Sequence, residues 1–442
     1  MSPVISSQLH RTFRALAYPG FRIYAAGQLL GTLGFWLQTT AVSWLVLELS
    51  GNSGTALGWT LALQFGPYLL FALQGGKIAD SFDKRRVLLL CSLGSAAVTA
   101  GLATVVLTGH IELWMVYVGM FAFGSVAVVE GPARQAFYSE LVDRDALPNA
   151  VGLGSAIFNI SRIAGPALAG VLIALTSTGT VIVMCAVIFL GPALACAVLL
   201  RRSISNPARR DAAAGGIRDA LRYAAARPDI IAVLVVSLLV SGFTFNFALT
   251  LSMLARTEFE TGADSYGLLL TALAVGALAG SLASGRRSTR PSLTTMLTSS
   301  ALLGVGTLLV GFAPTLWSAM ALLAPTGFAM VYYAQAANQR VQMGVRADFR
   351  GRVLSLYMLV FLGSTAVFAP IVGSFMEAYG ARAGLWLGGL VGIATPVALA
   401  LAKRVQIKRR AAFDEANEPT MRPFGDACEP SIGTALTGKA MP

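Results

Sequence analysis

Charge is what this chain has least of. Asp, Glu, Lys and Arg make up 12% of its 442 residues, against 55% hydrophobic residues. That is too little charged surface to cover a soluble core of this size. Segments 87–108 and 178–200 contain no charged residue at all, which excludes the polar face that a helix of a soluble protein presents to water. Histidine is limited to His10 and His110, leaving little for a His-based metal site, and none is expected. The four cysteines, Cys91, Cys185, Cys196 and Cys428, form no CxxC and three lie in apolar runs, so neither a disulfide framework nor a zinc site is expected. No HExxH, His–Asp or Ser–Lys set lies at matching depth, and no GxxxxGK(S/T) loop occurs; neither an intramembrane enzyme nor an ATP-driven machine is expected.

What the chain has instead is apolar length. Twelve segments read as spans, each near the roughly 20 helical residues that cross a bilayer: 22–48, 55–78, 87–108, 113–140, 149–175, 178–200, 229–255, 265–285, 292–312, 315–344, 353–378 and 384–402. Helix is required because hydrocarbon offers no partner to a free backbone amide. The expected fold is therefore all-α, a membrane protein of twelve transmembrane helices. The first run has spanning length and no small-residue cleavage pattern, so it is expected to be a membrane helix rather than a removed leader. Arg256 and Arg382 fall in loops on one side and Arg134 and Arg162 within spans; the rest of the 33 Lys and Arg fall on the other side. The positive-inside rule assigns that basic side, with both termini, to the cytoplasm. The net charge of +12 is thus explained by orientation in an inner (cytoplasmic) membrane, with the lipid bilayer as partner and no nucleic acid.

Segment 201–228 carries seven arginines and reads as a linker at the membrane surface between six-helix bundles 1–200 and 229–404. Residues 405–442, polar and with four prolines, read as a disordered cytoplasmic tail. The halves echo each other. "GKIAD", Gly76–Asp80, matches "GSLAS", Gly280–Ser284, and "GPALAG", Gly165–Gly170, matches "APIVGS", Ala369–Ser374, both at an offset of 204. One offset twice points to two pseudo-symmetric bundles, an organisation common among transporters whose binding site lies between the halves. "GQLLG", Gly27–Gly31, and "GALAG", Gly276–Gly280, are read as internal helix crossings rather than dimer contacts, leaving the chain a monomer.

The loop "GGKIADSFDKRR", Gly75–Arg86, holds six charged residues between two apolar runs. It resembles the signature loop between spans two and three of the major facilitator superfamily, a Gly-x-x-x-Asp-(Arg/Lys)-x-Gly-(Arg/Lys)-(Arg/Lys) pattern. Gly76, Asp80, Lys84, Arg85 and Arg86 fit it; Ser81 and Asp83 depart from it. The stretch Glu130–Ala174 is similar to the branch that holds enterobactin exporters, macrolide-efflux proteins and transmembrane secretion effectors, and Arg350–Phe361 resembles its second-half counterpart. Gly165, Pro166 and Gly170 resemble the span-five motif of proton antiporters. The resemblance implies a secondary transporter that exports a small organic molecule by alternating access, drawing on a proton gradient and needing no cofactor. It also implies that the loop latches the halves when the basic side is closed. An importer on the same fold stays open, as does, more remotely, a receptor or enzyme.

Physical reading assigns parts. Gly76 would let spans two and eleven approach, and Asp80, one turn on, would accept hydrogen bonds at the N-terminus of span eleven near Gly351. Lys84, Arg85 and Arg86 would hold the loop at the basic side; a purely topogenic cluster is the alternative. Glu130 and Arg134 lie one turn apart on span four, and Arg162 lies at similar depth on span five. Charges there are costly and should find partners. Glu130 either takes up a proton while pairing with Arg162 or Arg134, or forms a static bridge. On the resemblance, Gln38, Gln64, Phe243, Asn246, Tyr332, Tyr333 and Gln335 are cavity candidates, each able to serve instead in helix packing.

Overall fold

The computed structural model describes residues 14–143, 145–202, 217–287 and 289–416. Twelve long helices follow in order: α1 (Pro19–Ser50), α2 (Gly54–Ser81), α3 (Lys84–Leu107), α4 (Leu113–Leu141), α5 (Leu147–Leu175), α6 (Thr178–Leu200), α7 (Pro228–Glu258), α8 (Ala263–Gly285), α9 (Leu293–Gly311), α10 (Leu316–Gly344), α11 (Ala347–Tyr379) and α12 (Ala381–Ala416). Eleven contain a stretch long and apolar enough to cross a membrane. The twelfth, α2, qualifies when Gly54–Ala72 and Gln74–Ser81, on either side of a 66° bend, are taken as one span. Pro67 and the Gly75–Gly76 pair flank that bend, as expected of a helix kink. Helix starts are set locally by side-chain oxygens that accept from free backbone N–H groups: Ser53 for α2, Asp83 for α3, Ser177 for α6, Ser292 for α9 and Thr315 for α10.

Two helices are interrupted in their middles: α6 at Phe189, between Thr178–Ile188 and Leu190–Leu200, and α7. α7 runs helically to Thr244, restarts at Phe247 and ends in a π-helical turn, Leu254–Glu258. Asn246 stands before the restart, its side chain making no cap and donating through Nδ2 to the Gly242 carbonyl instead. Irregular backbone at this depth is tolerated where it borders a cavity, and Asn246 lines one, as described below.

Residues Met1–Leu399 form one compact unit, and residues from Ala400 a second. Within the first, the two halves of the chain meet along two crossings. Where α2 meets α11, an ideal Cβ at Gly54 would lie 2.6 Å from the carbonyl oxygen of Gly373, and one at Gly58 2.5 Å from that of Ala369. Where α5 meets α8, a Cβ at Gly170 would lie 2.6 Å from the carbonyl of Ala263 and one at Gly267 2.5 Å from that of Pro166. Pro370 abuts Gly58 and Pro166 abuts Gly267, so the two prolines related by the offset of 204 occupy equivalent places. Both crossings lie at the face away from the basic loops.

The glycine pairs read as internal crossings are that: Gly27 and Gly31 meet Pro192 of α6, and Gly276 and Gly280 meet Ala324 and Phe328 of α10. Of the linker, Ile217–Ala225 is helical and residues 203–216 lie outside the described residues. Of the tail expected to be disordered, 405–416 is helical and 417–442 lie outside the described residues. The extension follows from good helix formers (Lys, Arg, Gln, Ala) continuing without a breaker until Pro419.

At Gly276 a Cβ would collide with the carbonyl oxygen of Ala324, whereas at Gly101 it would meet nothing within 4 Å. Overpacking a fixed crossing costs about 1–3 kcal/mol. Gly276→Val is expected to lower the melting temperature of the detergent-purified protein, and Gly101→Val to leave it within error, as read by thermal-shift size-exclusion chromatography.

Candidate functional site

Two adjoining cavities lie inside the bundle. The larger, about 820 Å³, lies between the halves and takes walls from both, including Trp36 and Arg162 from the first and Asn246, Met330 and Gln335 from the second. It extends to Gln135 on α4, Ser284 on α8 and Gln339 on α10, the ends of those helices at the basic face. The smaller, about 300 Å³, sits within the first half against Tyr24, Tyr68, Phe123, Glu130 and Arg134. Arg134, Trp36, Phe35, Phe65 and Phe158 border both. Aromatic walls with a few polar groups suit a bulky, partly apolar ligand.

The charges divide unequally. Glu130 and Arg134 pair along α4 at 3.4 Å, both part-buried. The alternative pairing of Glu130 with Arg162 is not formed. Arg162 lies instead against Met330 Sδ at 3.6 Å and under the Trp36 ring, 5.4 Å from its centroid. Of the two partners open to Glu130, the structure pairs it with Arg134, while Arg162 faces α1 and α10 across the cavity.

Of the cavity candidates, Asn246 and Gln335 line the larger space. The others do not border either cavity. Gln38 is buried between α1 and α3, accepting from Thr99 Oγ1 at 3.0 Å. The backbone of Gln64 supports α4 at Gly124. Phe243 packs on Phe368 with centroids 4.6 Å apart. Tyr332 stacks on Phe328 and carries Arg287 3.6 Å over its ring. Tyr333 is fully buried, its hydroxyl 3.4 Å from Ser237 Oγ. Spacing along a span gives depth but not rotation, and neighbouring residues such as Tyr333 and Gln335 point about 160° apart on a wheel of 3.6 residues per turn. Gly165, Pro166 and Gly170 are packing residues: Gly165 lies against Trp36 of α1, and the other two against α8.

The profile of the transmembrane secretion effector family matches residues 10–427. The chain belongs to that family, within the major facilitator superfamily. It is a multi-pass membrane protein and a secondary transporter. Among its relatives, the multidrug efflux pump Tap of Mycolicibacterium fortuitum is 27% identical over 87% of this chain and 95% of that protein. The staphyloferrin A transporter of Staphylococcus aureus is 28% identical over 57% of this chain and 63% of that protein. Among solved structures, a POT family transporter in complex with a thioalcohol-conjugated peptide superposes with a TM-score of 0.72 at 10% identity, covering 87% of this chain and 96% of that one. A bacterial homologue of the lysosomal transporter Spinster, inward-facing and unoccupied, gives 0.64 at 14% identity, covering 87% and 95%.

The signature loop of this major facilitator protein is disengaged in the structure. Asp80 is exposed, and its carboxylate has no partner among the described residues. Gly76 makes no close approach: a Cβ there would meet nothing within 4 Å, and Gly75 instead abuts Val128 of α4. The expected contact with α11 is not made here, and the close α2–α11 approach lies at the other end. Lys84 donates to the carbonyls of Asp80 and Phe82, and Arg86 is exposed. Arg85 anchors the loop: it pairs with Asp83 at 2.7 Å and reaches the carbonyls of Leu199 and Arg202 at the end of α6. Hydrogen bonding from the Arg85 side chain holds the Asp83 carboxyl below its ordinary range. The departure from glycine at Asp83 therefore serves as the cap of α3.

At the far face an acid does what Asp80 was expected to do. Glu377, near the end of α11, accepts from Ser53 Oγ at 2.7 Å and from the backbone N–H of Thr55 at 2.9 Å. It thus sits on the positive N-terminus of α2. Arg256 supports the same closure, donating to Asn52 Oδ1 at 3.2 Å and lying over Trp44. A lone acid at the end of an apolar run was the signal for Glu377. A charge at a helix end is worth about 0.3–1 kcal/mol, so Glu377→Gln is expected to raise the ratio of far-face-open to far-face-closed molecules roughly two- to fivefold. Spin-label distances across the α1–α2 and α11–α12 loops read this ratio; an unchanged distribution would show that Glu377 holds nothing shut.

Proposed function

We propose that the chain is a proton-coupled exporter of a small organic molecule, with its basic face and both termini in the cytoplasm of a cell whose inner membrane it spans. The observation that carries the reading is Glu130. It is the one acid among the described residues bordering either cavity, and it is paired with a single arginine one turn away. Tyr24 of α1 and Tyr68 of α2 face it from neighbouring helices. In hydrocarbon a carboxylate that loses its charge leaves its partner unmatched.

The cycle follows from that pair. With the far face open, Glu130 takes a proton, and Arg134, now unmatched, favours the state in which the wide cavity brings it water. That state opens to the basic face, as here. There the proton leaves, the pair re-forms, cargo binds, and the closed, loaded protein turns outward. Two of the relatives support export: a multidrug efflux pump and a macrolide efflux protein.

In everted membrane vesicles with an acidic lumen, the wild type is expected to drive uptake of members of a panel of aromatic dyes and drugs that includes anionic, neutral and cationic compounds. Glu130→Gln, at equal protein level, is expected to reduce this to the level of empty vesicles. Undiminished uptake by the variant would remove Glu130 from the coupling step. Proton-driven uptake only into right-side-out vesicles would make the chain an importer.

A further inference from the structure

We propose that the cargo is an organic anion and that Arg162 forms the subsite for its carboxylate. This rests on the reading of the larger cavity as the cargo space. Two arginines and no Asp or Glu line that cavity among the described residues. Arg134 is matched by Glu130 at 3.4 Å. Arg162 is not matched: its recorded contacts are a thioether sulfur and an aromatic face. Elsewhere charge meets charge, Arg382 with Glu258 at 2.8 Å and Arg227 and Arg290 with Asp229, both at 3.0 Å. Arg162 is the cavity's uncompensated cation.

A second observation points to the same ligand. The Trp36 ring holds the guanidinium by a cation–π contact, which engages the face of the planar group and leaves N–H edges for a ligand. A carboxylate accepts two parallel bonds from such an edge. Phe35, Phe65, Phe158, Phe245 and Phe361 line the surrounding wall, so the anion's body should be aromatic or otherwise apolar.

The unmatched charge also has a consequence for the cycle. Water in the open cavity can solvate Arg162. Closing the basic face around an empty cavity would strip that water from a lone cation, whereas closing it around an anion buries a matched pair. A ligand shifts a conformational equilibrium by its difference in affinity for the two states, so an anion favours closure with cargo inside.

The test is equilibrium binding to the full-length protein in detergent, with three probes sharing a naphthalene body: the carboxylate, the carboxamide and a trimethylammonium derivative. The carboxylate is expected to bind at least about tenfold more tightly than the other two, the scale of a charge-assisted bidentate contact. Arg162→Gln should erase the preference and Arg162→Lys keep part of it. Equal or tighter binding of the cation, binding of none of the three, or a preference that survives in Arg162→Gln would overturn the proposal. The wild-type ranking needs no variant to fold. Binding needs neither a gradient nor a direction, so an anion preference without vesicle export would sink the export reading alone. Export of cations by active vesicles, with no anion preference, would sink this one alone.

Discussion

Hydrocarbon cannot solvate a charge, and the arrangement of this protein follows from that constraint. Charges gather at the two faces, and the few inside are accounted for one by one. Glu130 and Arg134 neutralise each other along one helix face, and Arg162 stands at the wall of a cavity open to water. The same constraint makes every span helical and confines the break at Asn246 to a cavity edge. A transporter that moves a cargo through such a medium has few charged groups to work with.

The second determinant is close approach between halves. At the α2–α11 crossing, glycine at Gly54, Gly58 and Gly373 lets backbones meet, and Glu377 adds a charge on the start of α2. The two helices run antiparallel, and each carries an acid near its C-terminal end, Glu377 on α11 and Asp80 on α2. Each acid is placed to meet the positive start of the other helix. One of these contacts is made and the other is not, as expected of a structure closed at one face and open at the other.

Much of this was legible in the sequence. Span number and the basic face follow from composition, because bilayer thickness and the placement of Lys and Arg act on whole segments. The offset of 204 located Pro166 and Pro370 at equivalent crossings. The Glu130–Arg134 pairing, one turn apart on α4, was readable as one of two alternatives. Rotation was not: Tyr332, Tyr333, Phe243, Gln38 and Gln64 have the depth of cavity residues and turn away from it, while Asn246 and Gln335 turn toward it. Apolar all round, a membrane helix carries little periodic signal of which side faces lipid. The loop contacts were equally hidden: Gly76 and Asp80 read as contact residues from the sequence, and neither makes the expected contact here.

The account's central claim is that protonation of Glu130 decides which face is open. Its most direct test is a distance across the basic-face mouth, between spin labels at Ser139 of α4 and Met343 of α10, followed as a function of pH. In the wild type the mouth should be wide at low pH, and a narrowed population should grow as Glu130 loses its proton. Glu130→Gln should stay wide throughout. A variant whose mouth narrows along the same pH curve as the wild type would contradict the account.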